Sequence, residues 1–168
     1  MTSESLADSA VGRASTWLAV IGATAMLMMM MHVVVDVTGR YIFNNPLPGT
    51  LESVTYYYMV MVTALPFAYV TRNQGQITVE MFTSWLPQRW ILLLDACAGA
   101  LMFIYVAVLA YKIGQEAVTM TVLGEVHDAG TMQFTTWPSR WVPPIGFGVM
   151  ACAVALRVIE DFKSFLRA

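Results

Sequence analysis

Charged residues are scarce in this chain. Of its 168 residues, 12% are charged and 58% are hydrophobic, whereas an ordinary soluble domain carries roughly 25% charged residues. The net charge of −2 is spread along the chain without an acidic or basic run, so we expect no nucleic-acid partner. The shortage of charge indicates instead an integral membrane protein surrounded by membrane lipids.

Cysteines and catalytic motifs are also few. Cys97 and Cys152 lie in apolar segments without CxxC spacing, which predicts small packing residues rather than a disulfide framework. The sequence contains no GxSxG, no HExxH and no glycine-rich phosphate loop. Of the two histidines, His32 lies in an apolar run and His127 does not, which disfavours haem held by two histidines. We therefore expect no enzymatic activity, no cofactor and no metal site.

What the chain does contain is four long apolar runs. Crossing about 30 Å of hydrocarbon takes roughly 20 helical residues, so the predicted fold is an all-α membrane protein with four transmembrane helices in one membrane domain, residues 1–168. Pro66 is expected to kink the second span. The predicted spans are about 17–41, 51–70, 89–112 and 141–163.

Two connections between the spans carry further predictions. Residues 77–86, between spans two and three, group their apolar side chains on one broad arc, which predicts a short amphipathic helix in the membrane interface. The polar connection at about 114–138 contains Glu125, His127 and Asp128. We interpret it as an external landing surface for a partner.

The distribution of Lys and Arg predicts the orientation. With the N-terminus in the cytoplasm, six basic residues lie inside and three outside, which favours two cytoplasmic termini. The inside set is Arg13, Arg72, Arg89, Arg157, Lys163 and Arg167, and the outside set is Arg40, Lys112 and Arg140.

Ionisable residues within apolar spans suggest function by default. His32, Asp36 and Arg40 are spaced four residues apart, so they share one face near the outer end of span one. One interpretation is a proton or ion relay. The other, which we favour because all three lie near the membrane edge, is an ion pair between Asp36 and Arg40 with Glu52 as a second acceptor. For Asp95 in span three we likewise favour structural pairing.

A family resemblance appears in the segment that follows span one. Residues 40–52 read RYIFNNPLPGTLE, and the pattern continues through Arg72 and residues 75–80, GQITVE. This stretch resembles the small membrane subunit of TRAP transporters, the tripartite ATP-independent periplasmic transporters. Family members often have His and Asp where this chain has Gln76 and Glu80, which leaves a specific role for those two side chains open.

The resemblance implies a helper role in the bacterial inner membrane. In that family a small subunit resembles a stator for a large multi-span elevator subunit, while a periplasmic substrate-binding protein delivers a carboxylate for sodium symport. By this likeness Arg40 and Glu52 would fasten the outer hairpin. Two alternatives remain, namely the small four-span subunit of another tripartite carboxylate transporter and a self-sufficient homodimeric small exporter. The candidate structural or partner-interface residues are Asp36, Arg40, Tyr41, Glu52, Asp95, Glu125, His127 and Asp128.

Overall fold

A computed structural model of the chain describes residues 3–45, 47–73, 88–129 and 132–167. The predicted amphipathic helix at 77–86 lies outside the described residues. The helices are α1 (Ser3–Ile42), α2 (Thr50–Ser53), a π-helical turn (Val54–Tyr58), α3 (Met59–Ala64), α4 (Phe67–Arg72), α5 (Gln88–Leu123), a 3₁₀ turn (Trp137–Trp141) and α6 (Val142–Arg167). Two short strands, β1 (Val126–Ala129) and β2 (Met132–Thr135), pair antiparallel as a hairpin before the 3₁₀ turn.

Four helical stretches among the described residues are long and apolar enough to cross a membrane. They are Asp8–Ile42, Thr50–Arg72, Ala96–Leu123 and Trp137–Ile159. This confirms the predicted all-α membrane fold with four spans.

The helices extend beyond the predicted spans. α1 begins at Ser3, ahead of the predicted start near residue 17, and α5 ends at Leu123, past the predicted end near residue 112. The predicted polar connection at 114–138 therefore includes the last turns of α5. Its first part is helical up to Gly124, whose φ of +62° suits a residue without a side chain and ends the helix. The remainder holds the β-hairpin and the 3₁₀ turn. The helices can run past the predicted spans because helix formation does not require the hydropathy that locates a membrane span.

The second span is divided where the sequence predicts a break. Pro66 has no backbone N–H and cannot continue the hydrogen-bond ladder, and α3 ends at Ala64 while α4 begins at Phe67. This confirms the predicted irregularity. A π-helical turn between α2 and α3 adds a second one, which the sequence did not predict.

Helix α6 lies at the centre of the packing and contacts α1, α3, α4 and α5. The buried core is formed by Ala68 of α4, Val106 of α5, and Met150 and Val154 of α6. Gly146 of α6 lies so close to α3 that a Cβ at this position would overlap the carbonyl oxygen of Ala64.

Two further glycines allow close helix contact. A Cβ at Gly22 of α1 would lie 3.1 Å from the Pro66 ring, and one at Gly99 of α5 would lie 2.8 Å from Val158 of α6. Small residues thus let these helices approach closely, as in other membrane bundles.

Candidate assembly surface at the hairpin end of the bundle

The bundle has two distinct ends. We call the end with the loop over residues 43–49 and the β1–β2 hairpin the hairpin end. The opposite end, where Arg72 closes α4 beside the N-terminal part of α1, is the terminal end. Most of the candidate residues from the sequence lie at the hairpin end.

Asp36 holds the loop that follows α1. Asp36 is only 5% exposed. Its Oδ2 accepts a hydrogen bond from Nη2 of Arg40 at 2.8 Å, and its Oδ1 accepts one from the backbone N–H of Leu47 at 2.9 Å. Asn44, with a φ of +50°, and Gly49, with a φ of +81°, make the tight turns on either side. One carboxylate therefore joins the last turns of α1 to the loop that precedes the second span.

The other predicted residues near this loop, Arg40, Glu52 and Tyr41, differ in their contacts. The Arg40 ion pair with Asp36 is present as the sequence predicts. Glu52 makes no hydrogen bond or ion pair with Arg40 among the described residues, so the acceptor that fastens the loop is Asp36. Tyr41 is 90% exposed. Its side chain is available at the surface of this end.

The neck of the β-hairpin is closed by a second ion pair. Glu125 follows Gly124 at the end of α5, and its two carboxylate oxygens accept hydrogen bonds from Nη2 and Nε of Arg140 at 2.8 and 3.0 Å. The backbone N–H of Thr136, a residue only 1% exposed, donates to the Glu125 carbonyl at 3.1 Å. The Arg140 hydrogen bonds hold the pKa of the Glu125 carboxyl below its ordinary value of 4.5, although its partial burial opposes that shift.

Two of the three consecutive tyrosines in the π-helical turn, Tyr56 and Tyr57, fasten the hairpin to the second span. The Tyr57 hydroxyl donates to the Thr135 carbonyl of β2 at 2.7 Å, and its ring meets Phe134 edge-on with centroids 5.8 Å apart. The Tyr56 ring lies 5.1 Å from the His127 ring of β1. Phe134 also lies against Gly49, within 3.5 Å of where a Cβ would be. The hairpin thus packs on the loop and on the second span together.

The third tyrosine faces the other way, toward α1. Its hydroxyl lies 3.5 Å from Nδ1 of His32, and the two rings meet edge-on with centroids 5.9 Å apart. Tyr58 therefore gives His32 a polar neighbour inside the bundle. Consecutive side chains of the π turn are directed at three separate elements.

The remaining candidates lie apart from this contact set. Asp128 belongs to β1 and is paired in register with Gln133 of β2. Asp95 lies near the start of α5, away from the hairpin end. The structure therefore groups Asp36, Arg40, Glu125 and His127 at one end and leaves Asp95 outside the group.

Sequence reasoning missed several residues that hold this surface together. Phe134 and Thr136 fall in the predicted polar connection at about 114–138, and the three consecutive tyrosines form no motif that names a partner. The alternation of polar and apolar residues in Met132–Thr135 was the available signal for a strand. It is four residues long, which is too short to stand out beside the membrane spans.

Comparison with known families now adds to this geometry. Residues 29–164 match the model of a family described as the DctQ component of tripartite ATP-independent periplasmic transporters. The chain belongs to this family. The match covers about four fifths of the sequence and includes both the loop after α1 and the β-hairpin. No curated protein and no solved structure matches the chain in the corresponding comparisons.

Membership of the DctQ family makes the chain a small membrane component of a TRAP transporter and a multi-pass membrane protein. It confirms the family resemblance carried by residues 40–52 and favours it over the two alternative transporter classes. In a component of a tripartite system, a rigid surface at one end of a helix bundle is suited to contact with another component.

Proposed function

We propose that this DctQ-family chain is a non-catalytic stator for the large multi-span subunit of a sodium-coupled TRAP transporter. In this role it holds a fixed position in the bacterial inner membrane while the large subunit moves a carboxylate by symport. Both termini lie in the cytoplasm, and the hairpin end faces the periplasmic substrate-binding protein. The proposal combines the family membership with the rigidity of the bundle.

Rigidity supports the stator role. Where Gly146 meets the Ala64 carbonyl, two helices touch backbone to backbone with no flexible side chain between them. The stacked rings of Phe67 and Phe147, 5.6 Å apart, join the same two spans nearby. Tightly packed helices deform little under load, and a stationary subunit needs this property.

The observation that carries the docking role is the threefold attachment of the hairpin. Asp36 holds the loop beneath it, Tyr57 holds β2, and Glu125 with Arg140 closes its neck. A surface that is already ordered loses less conformational entropy when a partner binds. Tyr41 and Phe43, 90% and 74% exposed, add large apolar side chains at the same end, and aromatic side chains are common at the centres of interfaces.

The stator role is tested by reconstitution. The chain and its large subunit are purified together and placed in liposomes with a sodium gradient, and carboxylate uptake is measured with and without the binding protein. We expect uptake to require this chain, the sodium gradient and the binding protein. Equal uptake by the large subunit alone would exclude an obligate role for the chain.

The docking role is tested with Tyr41→Ala, matched by Tyr105→Ala on the exposed face of α5, where the tyrosine is 67% exposed. Loss of a large aromatic side chain at the centre of an interface costs about 2 kcal/mol or more, so we expect Tyr41→Ala to weaken binding-protein affinity by about thirtyfold or more. Tyr105→Ala should leave it unchanged. Equal affinities for both variants would place the docking surface elsewhere.

A further inference from the structure

The face of α5 that points away from the bundle carries exposed hydrophobic residues along almost its whole length. From Leu94 to Val122, every residue reached by alternating steps of three and four positions is exposed, and all nine of them except Gln115 are hydrophobic. On the opposite face of the helix, Val106 and Ala117 are buried in the bundle. Alternating steps of three and four are the a and d pattern of a coiled coil, and here they last for four heptads. We call this surface the α5 seam.

The α5 seam continues beyond the part of the helix that lipid can cover. α5 has 36 residues and is therefore about 54 Å long, whereas the hydrocarbon of a bilayer is about 30 Å thick. Lys112, Gln115 and Glu116 begin a more polar last part of the helix, so about three turns stand outside the hydrocarbon at the hairpin end. Val118 and Val122 lie in these turns and are 49% and 81% exposed. Hydrophobic side chains grouped on a surface outside the hydrocarbon indicate contact with protein.

The single polar position of the seam suits pairing with an identical residue. Nε2 of Gln115 donates a hydrogen bond to the Tyr111 hydroxyl at 2.9 Å, and the amide oxygen of Gln115 accepts no hydrogen bond from the described residues. A primary amide has two N–H donors and one acceptor oxygen, so two Gln115 side chains that face each other can exchange hydrogen bonds. One polar residue among apolar a and d positions fixes the register and the number of helices in a coiled coil.

We propose that the α5 seam binds the same seam of a second copy of this chain, as a parallel helix pair about a twofold axis along the membrane normal. Two copies inserted in the same orientation place equal residues at equal depth, so Gln115 meets Gln115 of the second copy. The turns outside the hydrocarbon then meet a helix of the same length. A twofold contact of this kind is complementary to itself. The seam lies on a different helix from Asp36 and Tyr41, and its pairing does not depend on the stator role.

The seam is large enough for a stable pair. An aliphatic side chain that becomes fully covered buries roughly 60–120 Å², so the nine positions of two copies bury on the order of 1,000 Å², the area at which specific interfaces begin. Gly114 lies beside the seam, and a Cβ there would have nothing within 4 Å, which leaves room for a side chain of the second copy. Within the hydrocarbon, lipid covers the seam as well as protein does. The preference for pairing therefore comes from Gln115, Val118 and Val122.

Cys97 lies in the seam, so the chain carries its own cross-linking probe. In helices about 8–10 Å apart, facing Cα atoms come within the roughly 4–7 Å that a disulfide spans. The full chain is produced together with its large subunit, and the membranes are oxidised with copper phenanthroline. Cys152→Ala leaves Cys97 as the chain's single cysteine, and the matched control Cys97→Ala leaves Cys152, which is also exposed but lies on α6.

A second pair of variants tests the turns outside the hydrocarbon. In a chain that carries both Cys97→Ala and Cys152→Ala, Val118→Cys places the probe in the seam. Its matched control is Glu116→Cys, because Glu116 is exposed on the same turns of α5 but lies off the seam. Comparison of the two separates a specific contact from random collision of exposed thiols.

We expect Cys97 and Val118→Cys to form a cross-linked product of twice the chain's mass, at about tenfold higher yield than their controls, because thiols held face to face have a high effective concentration. Val122→Glu should lower the Cys97 yield about tenfold, because two carboxylates then oppose each other across the twofold axis. The Val122 side chain is 81% exposed, so this variant keeps its fold.

The proposal is overturned if Cys97 gives no such product, or no more of it than Cys152 gives. A cross-link from Cys97 to the large subunit instead would identify that subunit as the occupant of the seam and would equally exclude the pair of copies. Uptake measured in the same membranes before oxidation reports on the stator role separately.

Discussion

The contact between Gly146 and the Ala64 carbonyl allows a sharp test of how the bundle is held together. Gly146→Ala would place a methyl group against a backbone oxygen, with the carbonyl carbon 3.0 Å away, and neither atom belongs to a side chain that could rotate aside. The two helices must separate by a few tenths of an ångström or more. Overpacking of this kind costs roughly 1–3 kcal/mol in the free energy of unfolding.

The matched control lies two residues further along the same helix. A Cβ at Gly148 would have nothing within 4 Å, so Gly148→Ala changes the helix propensity, by up to about 1 kcal/mol in favour of alanine, without adding a clash. Subtracting one variant from the other removes the propensity contribution and leaves the packing contribution. Unfolding by sodium dodecyl sulfate in mixed micelles, followed by tryptophan fluorescence, measures both. Equal stabilities of the two variants would refute the close helix contact.

Three further predictions concern the hairpin end. Asp36→Ala leaves the Leu47 N–H and the Arg40 guanidinium without their acceptor, so the free energy of unfolding should fall by about 1–3 kcal/mol. Glu52→Ala should change the free energy of unfolding little in the same assay. The lowered pKa of Glu125 means that its ion pair stabilises the fold above pH 4.5, and that this stabilisation is lost as the pH falls through the folded-state pKa below 4.5. Between pH 6 and about pH 3.5, the melting temperature of Glu125→Gln should therefore fall less than that of the unmodified protein. The same fall in melting temperature for both proteins would contradict the ion pair. Tyr57→Phe removes the hydrogen bond to β2 and should cost about 0.5–1.5 kcal/mol and speed amide exchange in the hairpin, while Tyr69→Phe on the exposed face of α4 should do neither.

The spans could be predicted from sequence because the bilayer imposes a simple requirement. Each crossing needs a long apolar run in which every backbone group is bonded within the helix. Hydropathy alone locates the four runs that meet this requirement. The break at Pro66 follows from the missing N–H in the same direct way. The ion pair between Asp36 and Arg40 was also predictable, because a spacing of four residues places the two side chains on one face of a helix.

The attachment of the hairpin could not be predicted because it depends on contacts between distant residues. Tyr57 and Thr135 are 78 positions apart, and no local pattern near either residue names the other. The Glu52 expectation failed for a related reason. Asp36 bonds both to Nη2 of Arg40 and to the N–H of Leu47, and a sequence does not show whether a folded loop brings a second carboxylate within reach of the same guanidinium.

The π-helical turn Val54–Tyr58 has a consequence for the angular phase of the second span. A π turn closes its hydrogen bonds one residue later than an α-helix does. The residues before the turn are therefore rotated about the helix axis by the angle of about one residue, roughly 100°, relative to an uninterrupted α-helix. Ala64 and Ala68, which lie after the turn, pack on α6, whereas Thr50, which lies before it, meets the loop. The orientation of Thr50 about the helix axis is therefore set separately from that of the two alanines. Deleting one residue from the turn would restore a regular helix, keep the packing stripe and rotate the loop out of register with the hairpin.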